Sequence, residues 1–155
     1  MFSRIKSTRQ VKRTRKNKTV SSNSSMDTHK KIISTFLCML NTVKLYHWAT
    51  THYATHKATD QLYSELSSKT DTFVETMFGK ETTEFRNAVL KMRTIKINPI
   101  QTNKDFKKET EQYKSFLINL TNNKTFNIQK NTDLLNLRDD ILGSLNQFLY
   151  LLTLN

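Results

Sequence analysis

Apolar residues recur at three- and four-residue intervals through four stretches of the chain, separated by polar segments. In the first, Ile32, Ile33, Phe36, Leu37, Leu40, Val43 and His47 make one stripe, and Asp27 is placed to cap a helix running to about Trp48. The second, about His52 to Phe78, puts Leu62, Leu66, Phe73 and Met77 on one face and meets Gly79 at its end. A polar connector, 80–103, holds a short helix from about Glu81 to Met92 and then an extended piece around Pro99. A third long helix, about Lys104 to Leu120, is expected to bury Phe106, Tyr113, Phe116, Leu117 and Leu120. After a polar Asn/Thr loop, a fourth, about Thr132 to Leu152, carries Leu134, Leu135, Leu137, Ile141, Leu142, Leu145, Phe148, Leu149 and Leu152, with Asp133 near its start. Four amphipathic helices of this length predict an all-α four-helix bundle over residues 26–155.

Composition supports that class. Two glycines and one proline in 155 residues leave little of the turn chemistry a many-stranded fold needs. No apolar run reaches the roughly 20 residues of a membrane span, and the N-terminus lacks an apolar signal core, so a soluble, intracellular and non-secreted protein without membrane partners is expected. The one cysteine, Cys38, excludes an internal disulfide and reads as a small buried thiol.

The net charge of +12 is concentrated at one end. Arg4, Lys6, Arg9, Lys12, Arg13, Arg15, Lys16 and Lys18 stand among residues 1–20 without an acid, which leaves 12 − 8 = +4 for the rest. Residues 1–25 therefore read as a basic arm, disordered until it meets a polyanion. Nucleic acid is its first candidate partner. An anionic capsid or protein surface, an import or transit signal, and a merely solubilising tail are the competing readings.

Against this background five residues have a spacing that carries chemistry: His47, His56, Asp60, Asp71 and Glu75. Imidazole and carboxylate ligands suit iron, manganese or zinc, and open positions on such sites permit oxidant chemistry, so iron is favoured and another divalent metal is the alternative. The last four are mirrored about a point between Glu65 and Leu66: 56 pairs with 75 and 60 with 71. On one helix Asp60 and Asp71 stand roughly 16 Å apart, too far to share an ion. A second copy crossing antiparallel at residues 65 and 66 would set His56 opposite Glu75 of its partner and Asp60 opposite Asp71. Ser64 and Ser67 share the arc and would let the two helices approach closely. The spacing thus predicts a two-fold homodimer through the 52–78 helix with two mixed sites. No Glu-x-x-His motif is present, which argues against a di-iron site inside one bundle. His29 and His52 read as surface residues.

Leu45-Tyr46-His47-Trp48, His56-x-x-x-Asp60 and Asp71-x-x-x-Glu75 resemble the Dps family of mini-ferritins, most closely over residues 41–79. Asp133-Leu134-Leu135 through Leu149-Tyr150-Leu151-Leu152 is similar to that family's last helix, and the short connector helix also has a counterpart there. The resemblance implies a ferritin-like fold and an iron site between subunits, with His47, His56 and Asp60 from one facing Asp71 and Glu75 of the other. It places Trp48 and Tyr46 nearby as redox side chains. It further implies Fe(II) binding and oxidation, typically by peroxide, in a hollow higher oligomer, with the arm holding DNA. His47 and His56 are nine residues apart, a shorter interval than is usual in that family, so a tighter turn is expected. The Asn/Lys/Thr-rich chain also resembles uncharacterised Dps-like proteins of large DNA viruses. A ferroxidase and a non-catalytic structural protein of a virion or nucleoprotein particle, in host cytoplasm or nucleus, are the two functions compatible with these features.

Overall fold

The computed structural model describes the backbone of residues 8–123, 126 and 128–154 and the side chains of residues 25–123, 126 and 129–154. Within them the chain is all-helical: α1 (Thr8–Ala49), α2 (Tyr53–Phe78), α3 (Thr83–Leu90), α4 (Asn103–Asn119) and α5 (Thr132–Leu151), with 3-10 turns at Leu120–Asn122 and Ile128–Lys130 and no strand. The main packings are α2 on α1, α2 on α5, α4 on α5 and α4 on α1. The long helices therefore follow one another around the core in the order α1, α2, α5, α4.

Local chemistry accounts for most helix ends. Thr102 and Asp105 form a reciprocal capping box that starts α4, and Thr82 accepts from the Phe85 amide to start α3. The far end of α4 is capped from α5, where buried Arg138 donates through Nη1 to the Leu117 carbonyl at 3.0 Å and to Thr121 Oγ1 at 2.7 Å. Its Nε lies 2.8 Å from Asp139 Oδ1 but makes no hydrogen bond there, so that contact is purely ionic. Gly79 ends α2 as expected, though in the right-handed region (φ −61°, ψ −21°), so no left-handed turn is involved.

Helix α1 starts at Thr8, upstream of the expected cap at Asp27. Residues 8–26 contain no glycine or proline, and adding residues to an established helix avoids the cost of a new nucleus. Most of the expected arm is thus continuous with α1. Arg4 and Lys6 lie outside the described residues, as do the side chains of Arg9, Lys12, Arg13, Arg15, Lys16 and Lys18.

Fully buried Phe36, Phe73, Phe106, Leu66, Leu134 and Ile141 are part of the core, with Phe36 edge-on to Phe73 at 5.1 Å between centroids. Threonines extend it beyond the apolar pattern: Thr55, Thr59 and Thr70 are buried on α2 beside Leu62, Leu66, Phe73 and Met77. They can be, because Thr59 and Thr70 donate to the carbonyls four residues back, at 2.8 and 2.7 Å, and leave no hydroxyl hydrogen unpaired.

Three expectations are corrected. The Asn/Thr loop holds a fully buried anchor, Phe126. His29, expected at the surface, is buried between the rings of Phe85 and Phe126, and its Nδ1 bonds Glu81. The chain beyond α2 folds back over the α1 stripe, and His29 stands three and four residues before Ile32 and Ile33 on it. Cys38 is only half-buried and donates to the Lys96 carbonyl at 3.1 Å; burial, then the Glu109 charge, pushes its pKa up.

Candidate metal centre

The turn between α1 and α2 spans residues 50–52, so the last turn of α1 lies against the first turns of α2. It brings His47 and His56 together with their rings stacked, 4.0 Å between centroids and 23° between planes. Each ring bonds the other residue's backbone: His47 Nδ1 to the His56 carbonyl at 3.1 Å, and His56 Nδ1 to the His47 carbonyl at 3.0 Å. The His47 carbonyl belongs to the last turn of α1, where helix geometry leaves acceptors open, so His56 also caps that helix.

A carbonyl oxygen only accepts, so Nδ1 of each neutral ring carries the proton and each Nε2 keeps its lone pair. This is how metal-binding imidazoles are held, the far nitrogen donating to a backbone or carboxylate oxygen while the near one is free to ligate. Thr59 adds to the restraint, its Oγ1 lying 3.3 Å from His47 Nδ1 and donating to the His56 carbonyl at 2.9 Å.

Asp60 joins this pair from the next turn of α2. Its Oδ1 lies 3.8 Å from His47 Nε2, and its side chain is 57% exposed. Two ligands each about 2.1 Å from one ion stand roughly 3.0–3.4 Å apart, so a shift of a few tenths of an ångström in the free Asp60 side chain would admit a metal. His47 and Asp60 therefore approach ligand spacing as a pair, whereas His56 is held against His47 and is not grouped with them to hold an ion.

Asp71 and Glu75 do not join them within one chain. Both are exposed further along α2, and among the described residues no three His, Cys, Asp or Glu side chains are grouped to hold an ion. Asp71 instead lines an open groove. About 890 Å³ in volume, it is floored on the α1 side by Ile33, Phe36, Leu37 and Leu40, and lined on the α2 side by Asp60, Tyr63, Ser64, Ser67, Ser68 and Asp71. The mirrored pairs 60/71 and 64/67 thus all face one concavity.

The two aromatic neighbours part company. Trp48 is 68% exposed, with Lys44 Nζ 5.8 Å from its ring and 4.6 Å from that of Tyr63 on the groove. Tyr46 is buried away from the histidines against Phe106 of α4, its pKa raised by that burial against a smaller opposing hydrogen bond to Thr50. The apolar pattern passed over Thr59, Tyr63 and Lys44. The signals were there: Thr59 lies three residues after His56, and Lys44 four before Trp48.

Fold and site together define an all-α helical bundle with a stacked histidine pair, one ring of which approaches Asp60 on an open groove. Among the described residues no helix is long and apolar enough to cross a membrane. The chain belongs to a family of unknown function, DUF5856, whose model matches residues 47–152. That span holds all five candidate ligands and omits the basic N-terminal segment. No curated protein and no solved structure matches the chain significantly.

Proposed function

We propose that this protein is a Dps-like, ferritin-like metal protein that binds Fe(II) at two sites shared across a homodimer and lets an oxidant such as peroxide oxidise it there. The observation that carries this reading is the reciprocal lock of His47 and His56, which keeps both Nε2 lone pairs open and sets that of His47 3.8 Å from Asp60, a residue of the groove. A second α2 laid antiparallel in that groove, crossing at residues 65 and 66, would add Asp71 and Glu75 of the partner. Iron is the substrate. The histidines and carboxylates would hold it, and two Fe(II) would each give one electron to one peroxide, which takes up two protons and leaves as two waters. Trp48, exposed and linked through Lys44 to the groove residue Tyr63, is better placed than buried Tyr46 to relay an electron. The helix order α1, α2, α5, α4, with the 79–102 connector between α2 and α4, agrees with the one-crossover connectivity of ferritin-like bundles. The basic residues 1–25 would hold nucleic acid by their charge.

The test exploits the shared site. Anaerobic Fe(II) titration followed by peroxide should give a saturable absorbance change that disappears in His56→Ala and in Asp71→Ala. Mixing the two inactive variants after co-refolding should restore about a quarter of the wild-type signal: half the dimers are mixed, and each of those has one intact site of two. Absence of saturable iron binding in the wild type would refute the metal reading and leave the structural, non-catalytic role. Binding that no mixing restores would refute the shared site.

A further inference from the structure

At its C-terminal end α1 also borders a second cavity, one the metal reading does not use. The ring of Tyr46 stacks on Phe106 of α4 (centroids 4.0 Å apart, planes 15°), and Phe106 in turn meets Phe148 of α5 edge-on at 5.6 Å. Beside this aromatic stack lies a cavity of about 310 Å³, lined by Tyr46, Phe106 and Leu152 and by Asn103, Lys104 and Lys107 of α4. Lys104 and Lys107 are exposed and form no ion pair among the described residues. The nearest acid of the same helix turn, Asp105, is engaged elsewhere: its Oδ2 accepts from the Thr102 amide and hydroxyl and the Gln101 amide in the capping box.

An apolar wall with two unneutralised cations on α4 calls for a ligand with a tail and a negative head. The rings of Tyr46 and Phe106 face each other, so fewer ring faces remain for a planar base; an aliphatic tail needs only apolar contact. The volume is at the bottom of the range for small-molecule sites, roughly 300–1,000 Å³, too small for a two-tailed lipid. We propose that this cavity binds a medium-chain fatty acid, its tail against Tyr46, Phe106 and Leu152 and its carboxylate between Lys104 and Lys107.

Calorimetric titration of the full chain with decanoate, below its micelle concentration and at low salt, tests this. Saturable binding is expected, weakened at least about tenfold in the Lys104→Glu/Lys107→Glu double variant. Leu152→Trp, which adds bulk to the lining, should weaken it too, whereas His56→Ala should leave it unchanged. Decanol, a tail without charge, and acetate, a charge without a tail, should both bind far more weakly. The proposal is overturned if decanoate gives no saturable heat, if the charge-reversed variant binds as tightly as the wild type, or if either control matches decanoate.

Discussion

A double-mutant cycle on His47 and His56 separates two kinds of contact that the lock combines. His56→Ala removes one hydrogen bond to a backbone carbonyl, worth about 1 kcal/mol, and the ring stack, worth roughly 0.5–1.5 kcal/mol, for a total near 2 kcal/mol. His47→Ala removes the equivalent bond, the same stack and a side chain that is only 9% exposed, so about 3 kcal/mol is expected. The hydrogen bonds run to backbone atoms that both variants retain, so they contribute independently. Only the stack is shared, and the double variant should cost about 1 kcal/mol less than the sum of the singles. Urea unfolding followed by far-UV circular dichroism measures this, in chelator and at one protein concentration, because a dimer's stability depends on concentration. A coupling within about 0.3 kcal/mol of zero would refute the claim that the rings hold each other. So would His47→Ala costing no more than a surface change.

Two further outcomes follow from other parts of the chain. Ser144 Oγ donates to Glu65 Oε2 at 2.6 Å, and this bond, followed by that from Gln61, holds the Glu65 carboxyl below its ordinary value; Lys69 at 3.8 Å matters less. The folded state then binds this proton less readily than the unfolded one, so the stabilisation is complete above the ordinary glutamate pKa of about 4.3 and is lost as pH falls through the depressed folded value. Ser144→Ala should cost about 1 kcal/mol near pH 7, with the penalty shrinking in acid; an equal penalty at pH 3 would contradict the assignment. For the basic segment, DNA affinity should fall steeply with salt, with a log–log slope no steeper than about −7 for eight phosphate contacts, and deleting residues 1–20 should remove it. Unchanged low-salt affinity in the deletion, measured by fluorescence anisotropy, would exclude the arm as the contact.

Periodicity read three of the four long helices to within two residues because their apolar stripes are regular and some ends have a local cause, such as the Thr102–Asp105 box or Gly79. The start of α1 was not legible, since Asp27 makes a good cap and nothing in the sequence compels the chain to use it. Buried threonines escaped for another reason: a residue-type pattern counts Thr59 and Thr70 as polar, whereas each satisfies its hydroxyl on its own helix. His29 was misjudged and Phe126 passed over because the segments that cover them are distant in sequence. Glu81, for example, is 52 residues from the histidine it holds.

The short interval between His47 and His56 predicts a tight turn, and in the structure that turn brings the two rings together. With only residues 50–52 between the helices, each imidazole lies within bonding distance of the other residue's carbonyl, so the geometry that shortens the turn also fixes both tautomers. A longer turn would free the α1 end and require separate acceptors for the two Nδ1 protons. The histidine half of the candidate centre is thus preorganised by one chain, whereas the carboxylate half, Asp71 and Glu75, stands on exposed helix and needs a partner to approach it. Metal affinity should accordingly depend on protein concentration. A metal site complete within the monomer would show no such dependence.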